Sequence, residues 1–159
     1  MWIAVVIILV SVVLGLIIGL SQKKANDQLV AEGRMIKRNY DFVRKVYVYT
    51  TVADFNQIYD KLYASDLSGT GISWRKGNGQ IAIESSLGWK AQFVELASEG
   101  EAHKFQFNFT HWSTRDGIIQ ETTSMNLLLT AVEKSIISLD SGTKVTTTEQ
   151  EITSTPKFF

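Results

Sequence analysis

Few residues here have the types and spacing that chemistry needs. The 159-residue chain has no cysteine. That excludes thiolate nucleophiles, disulfides and cysteine-based zinc or iron–sulfur sites. It has only two histidines, His103 and His111, too few for a histidine-rich metal centre. His103 has one candidate partner. If Ser98-Glu99-Gly100 is a three-residue loop, with Gly100 supplying positive φ, Glu95 stands directly opposite His103 at a sheet end. A carboxylate so placed can orient an imidazole for base catalysis. No Ser, Cys or Thr nucleophile accompanies the pair in a recognisable motif. Gly77-Asn78-Gly79 reads as a hairpin turn, not as a phosphate-cradling loop between strand and helix. Glu95 and His103 therefore read first as a cross-strand structural pair and second as an enzyme's dyad. No cofactor and no metal is expected. Asn108-Phe109-Thr110 has the letters of a glycosylation sequon but falls mid-strand. His111 and Trp112 are expected to pack under the loop Ser113–Gly117.

The second chemical candidate is a surface. Alternation along the strands puts Arg75, Lys90, Gln92, Lys104, Gln106 and Asn108 on one sheet face, with Ser73, Glu84, Val94 and Thr110. In the expected register Gln92 faces Gln106, and Lys90 faces Asn108. Such a face is either ordinary solvated sheet or a docking surface for a protein partner. Nucleic acid would require a basic domain or exposed aromatics on that face. Residues 46–159 hold nine basic and thirteen acidic residues, net −4, and the aromatics fall on the other face.

The elements that position these residues follow from periodicity. Lys45–Thr50 alternates as a strand. Thr51 with Asp54 suggests a helix N-cap, and Phe55, Ile58, Tyr59 and Leu62 form a helical stripe. Asn78-Gly79 joins two strands, Ile72–Lys76 and Gln80–Ser85, and sets Trp74 opposite Ile83. A three-residue loop Ser85-Ser86-Leu87 sets Ile83 opposite Trp89 and Ile81 opposite Ala91. The loop at residues 98–100 sets Phe93 opposite Phe105, Ala91 opposite Phe107 and Trp89 opposite Phe109. A long helix is expected over Ile118–Asp140, with Met125, Leu128, Leu129, Val132, Ile136 and Leu139 as its stripe. Gly142 ends it.

The N-terminus is of another kind. Trp2 to Leu20 carry no charge, and 19 residues at ~1.5 Å each span roughly the ~30 Å of a bilayer core. A cleaved signal peptide would have a basic start and a shorter apolar run. A retained transmembrane anchor is expected. Residues 22–45 hold seven basic residues, among them Lys23, Lys24, Arg34, Lys37 and Arg38, against three acidic, net +4. The positive-inside rule places the N-terminus outside and the domain in the cytoplasm of a single-pass protein. The basic collar can also attract anionic headgroups. Ser11, Gly15 and Gly19 share one face of the anchor, a pattern that lets two helices approach.

The expected organisation is an anchor over 1–21, a basic helical stalk over 22–44, an α+β domain over 45–142 and a Thr-rich tail over 143–159, either edge strand or disordered. The fold class is α+β: a transmembrane helix, then an antiparallel sheet with two helices on one face. The order β-α-β-β-β-β-α resembles the TBP-like fold, which is also the half-unit of helix-grip, START-like domains. That resemblance implies an apolar ligand held between sheet and long helix. The absence of any catalytic motif points instead to a membrane-anchored interaction or accessory domain. An enzyme using Glu95 and His103 is the third expectation.

Overall fold

The computed structural model describes residues 2–96, 98 and 100–150, without the side chains of residues 2–6, 8 and 9. The chain divides into two compact units at the Lys37–Arg38 junction.

The first unit is dominated by one helix, α1, Trp2–Ala31. Its end is a Schellman motif. Gly33 takes φ +69° and donates to the Val30 carbonyl at 3.0 Å, while Arg34 N–H donates to the Leu29 carbonyl at 2.9 Å. The described side chains of its apolar half are exposed all round, Leu16 at 62% and Leu20 at 67%. Among the described residues, no helix is long and apolar enough to cross a membrane. Much of the expected anchor, residues 2–6, 8 and 9, has no described side chains.

The second unit begins with Arg38. A short 3-10 turn, Tyr40–Arg44, buries Phe42 and Val43 in the core. These residues were expected in the stalk, but two large apolar side chains at this spacing have a core to join. Strand β1, Lys45–Thr51, follows. Helix α2, Phe55–Tyr63, is capped by Asp54, whose Oδ1 accepts from the backbone N–H groups of Asn56 and Gln57. Gln57 Oε1 accepts from the Asp54 N–H at 3.1 Å and completes a capping box. The cap is therefore Asp54, with Thr51 closing β1. Strands β2, Ile72–Gly77, and β3, Gln80–Ser85, turn at Asn78-Gly79 with Gly79 at φ +65°. Trp74 faces Ile83 as the turn dictates.

Strands β4, Trp89–Glu95, and β5, His103–His111, complete the sheet's run of hairpins. A two-stranded hairpin follows: β6, Thr114–Arg115, and β7, Ile118–Ile119. Helix α3, Thr122–Leu139, therefore starts four residues after the expected Ile118. Strand β8, Lys144–Glu149, closes the fold. The main sheet is antiparallel throughout, in the order β2-β3-β4-β5-β1-β8. It has six strands where five with a doubtful tail were expected. Residues 151–159 of that tail lie outside the described residues.

Both helices pack on one face. Phe93, Phe105, Phe107 and Phe109 are fully buried there, against Ile58 and Leu62 of α2 and Leu128, Val132 and Ile136 of α3. Phe55 stacks on Phe93, and the Trp89 indole N–H donates to Ser124 Oγ at 2.8 Å, tying α3 to the sheet.

Two registers differ from expectation, each by two residues. Ile83 faces Ala91, Ile81 faces Phe93 and Ser85 faces Trp89. Phe93 faces Phe107, Ala91 faces Phe109 and Glu95 faces Phe105. The turn between β3 and β4 is Ser86-Leu87-Gly88, with Gly88 at φ +91°. Across β4–β5 the shifted register carries on past the strand end, where Leu96 N–H bonds the Lys104 carbonyl. A slip of two leaves every side chain on its own face, so alternation could not detect it.

Candidate functional site

The face of the sheet opposite the helices is the first candidate, and its rows follow from register. Arg75, Ala82, Gln92, Asn108, Val46 and Thr148 form one row across all six strands. Ser73, Glu84 and Lys90 form the next row toward one end. Beyond Lys90 the pairing jumps: Ala91 faces Phe109, but Lys90 faces His111. Thr110 is the extra residue of this β-bulge, which bends β5 locally.

A trough of ≈350 Å³ lies over this corner, lined by Ser73, Arg75, Ala82, Glu84, Lys90, Gln92 and Thr110. A second hollow of ≈510 Å³ continues toward the β3–β4 turn and adds Ser86, Gly88 and His111 while sharing Ser73, Glu84 and Lys90. Lys90 and Glu84 form an ion pair at the centre, and both are about half exposed. Lys90 holds the Glu84 carboxyl below its ordinary value, by hydrogen bond first and by charge second, and Arg75 adds to the effect. A pair so exposed adds little stability. Its consequence is local: two cations flank one carboxylate.

The expected surface residues separate into three groups. Arg75, Lys90 and Gln92 line the trough. Gln106 and Asn108 join Gln92 in an amide cluster beside it. Asn108 Oδ1 accepts from Gln92 Nε2 at 3.0 Å and from Gln106 Nε2 at 3.3 Å. Asn108 Nδ2 approaches Gln150 Oε1 at 3.5 Å, from beyond the end of β8. Asn108 is buried, so these amides brace β4 to β5 and reach the residue that follows β8. Gln92 faces Asn108, and Gln106 faces Val94, which corrects the expected Gln92–Gln106 and Lys90–Asn108 pairs. Lys104 stands apart, with Thr50 and Lys144, at the other end of the face.

Glu95 and His103 do meet, diagonally and not across the ladder. His103 Nδ1 lies 2.9 Å from Glu95 Oε1, with both side chains roughly one-third exposed. The ring stacks on Phe105. The structure also brings in Ser98, whose Oγ lies 3.4 Å from the same Nδ1. A nucleophilic triad needs the hydroxyl on one ring nitrogen and the carboxylate on the other. Here both converge on Nδ1, so the carboxylate cannot orient the ring as a base toward Ser98. His111 is exposed at the edge of the second hollow, while Trp112 packs partly against the core. The first of these departs from the packing expected under the Ser113–Gly117 loop.

One polar cluster gave no signal in the sequence. The Arg38 guanidinium bonds three residues on one face of α3: Asn126, Thr130 at 2.9 Å, and Glu133. Both charged side chains are largely buried, at 12% and 16% exposure. Burial raises the Glu133 carboxyl above its ordinary value, and Arg38 opposes that shift. Arg38 is thereby withdrawn from the basic collar in which it was expected. The spacing 126, 130, 133 is a helical face, but nothing in the sequence names Arg38 as its partner.

Among the described residues, no group of His, Cys, Asp or Glu could hold a metal ion. No family model, no curated protein and no solved structure matches the chain.

Proposed function

We propose that the folded unit is a non-catalytic binding module that uses the open sheet face around Arg75, Lys90 and Gln92. The observation that carries the reading is the trough: ≈350 Å³ of concave, mixed-charge surface on strands otherwise rigidly paired. Its size is that of a recognition pocket. A carrier of apolar ligands would need room on the other face. There Trp89, Phe107, Leu128 and Val132 are each at most 1% exposed and pack against one another. The convergence of Ser98 and Glu95 on one ring nitrogen supports the non-enzyme reading.

We further propose that residues 2–20 tether this module to a membrane as a single-pass anchor, with the folded unit in the cytoplasm. In support, this uncharged stretch lies within one continuous helix, and its described side chains are exposed rather than packed. Lys23, Lys24 and Lys37 remain exposed for contact with headgroups.

The test is photocrosslinking in intact cells, with the reactive residue at Gln92 or, as control, at exposed Lys134 on α3. A discrete adduct at Gln92 that disappears in the Arg75→Glu variant is expected. Equal labelling at the two positions, insensitive to Arg75, would discard the open face as the binding surface.

A further inference from the structure

We propose that two copies of this chain join along their β8 edges, so that one sheet continues into the other about a two-fold axis at Thr147. β8 is the outermost strand of the sheet and is exposed at all six positions. Its backbone phase can be read from one bond. Gln150 N–H donates to the Arg44 carbonyl at 2.8 Å, in step with the β1–β8 register. Alternation along an antiparallel ladder then directs the backbone groups of Lys144, Thr146 and Thr148 to β1. Those of Val145, Thr147 and Glu149 point to the free edge.

Only residues of this second parity can bond across that edge. A self-paired ladder centred on Thr147 satisfies the condition and overlaps the whole of 144–150. It sets Thr147 opposite Thr147, Thr146 opposite Thr148, Val145 opposite Glu149 and Lys144 opposite Gln150. Threonine pairs across a ladder are favourable, and no like charges oppose each other. The strand is self-complementary, and that selects a second copy over a foreign strand. The two sheet edges also differ in protection. β2 carries Arg75 and Lys76, the kind of charge that blunts an edge. β8 carries charge only at its two ends, has no proline, and pairs with β1 in an unbroken register.

The absence of native cysteine makes the test direct. Paired Thr147 residues would stand with Cα atoms ~5.5 Å apart, within disulfide reach. The full-length chain in detergent micelles, carrying Thr147→Cys, should form a covalent dimer on mild oxidation. The same chain carrying Ser73→Cys on the β2 edge should not. Thr147→Glu sets two carboxylates against each other at the axis. It should raise the dimer's dissociation constant about tenfold, with circular dichroism unchanged. Failure of Thr147→Cys to cross-link more than Ser73→Cys would overturn the proposal. So would a dimer whose affinity ignores Thr147→Glu, since its copies would then meet elsewhere, for instance through α1.

Discussion

At the scale of single residues, two groups show how burial and hydrogen bonding set a side chain's contribution. Tyr49 is fully buried on β1, and its hydroxyl has no partner among the described residues. Burial, with Glu133 nearby, pushes its pKa far above the ordinary tyrosine value. A buried hydroxyl without a partner costs roughly 1–3 kcal/mol of desolvation. Tyr49→Phe should therefore stabilise the domain, by about 1 kcal/mol in urea melts. A loss of stability would mean that a bound water satisfies the hydroxyl. Asp140 is the opposite case. Its carboxylate accepts from Val52 N–H at 3.0 Å, Thr51 Oγ1 at 2.9 Å and Gly142 N–H at 2.8 Å, joining the ends of β1, α3 and β8. These bonds lower its pKa, the Val52 N–H contributing most. A carboxyl with a lowered folded-state pKa adds stability above the ordinary aspartate value, 3.8. That stability is lost as pH falls through the lowered value. Asp140→Asn should lower the melting temperature at neutral pH and flatten its decline below about pH 4. An unchanged acid limb would assign the decline to other carboxyls.

At the scale of elements, the sheet's two faces and its turns obey different rules. Face assignment is robust, because the Phe row of β5 alternates with polar residues at every step. Phe107 sits at the centre, edge-on to Phe109 at 5.1 Å and tilted against Tyr47 at 6.4 Å. Phe107→Ala should cost ~3–5 kcal/mol, enough to unfold a small domain. Gln106→Ala, one residue away on the open face, should cost under ~1 kcal/mol, since it removes a single 3.3 Å bond to Asn108. Chemical denaturation of the two variants checks this, and equal losses would show the faces reversed. Register is less legible. The Asn78-Gly79 turn admits one pairing, and Trp74 meets Ile83 as read. At the other two hairpins a slip of two residues preserves both alternation and burial. At the first of these the position of the positive-φ glycine decided, at Gly88 rather than at a Ser-Ser-Leu loop; at the second, Gly100 takes positive φ as expected and does not by itself set the register. The Glu95–His103 pair survived the slip only because both side chains reach along a diagonal.

At the scale of the whole molecule, charge is segregated along the chain. Residues 22–45 are net +4 and residues 46–159 net −4. Under the anchor proposed at residues 2–20, the positive-inside rule would set the folded unit in the cytoplasm. A reporter fused after Phe159 should be active only if it works in the cytoplasm. An exported reporter active there would reverse the orientation. Replacing Lys23, Lys24 and Lys37 by Gln should scramble it. Arg38 is left out of that set because its charge is held on α3.

Sequence alone determined what depends on local periodicity: the α+β class, the Phe-rich core face, the α2 and α3 stripes, the Asn-Gly hairpin and the uncharged N-terminal run. These follow from side-chain spacing within one element, and spacing is printed in the chain. Tertiary structure decided what depends on which elements meet. It set β1 between β5 and β8, although the first and last strands are nearly a hundred residues apart. It buried Arg38 against Glu133, and it turned Asn108 from a surface amide into a brace between strands. It also gathered Arg75, Lys90, Gln92 and the bulged Thr110 into one trough. Contacts of this kind join residues with no periodic relation. Their partners are chosen by the packing of the whole sheet, and a two-residue slip in one turn is enough to change them.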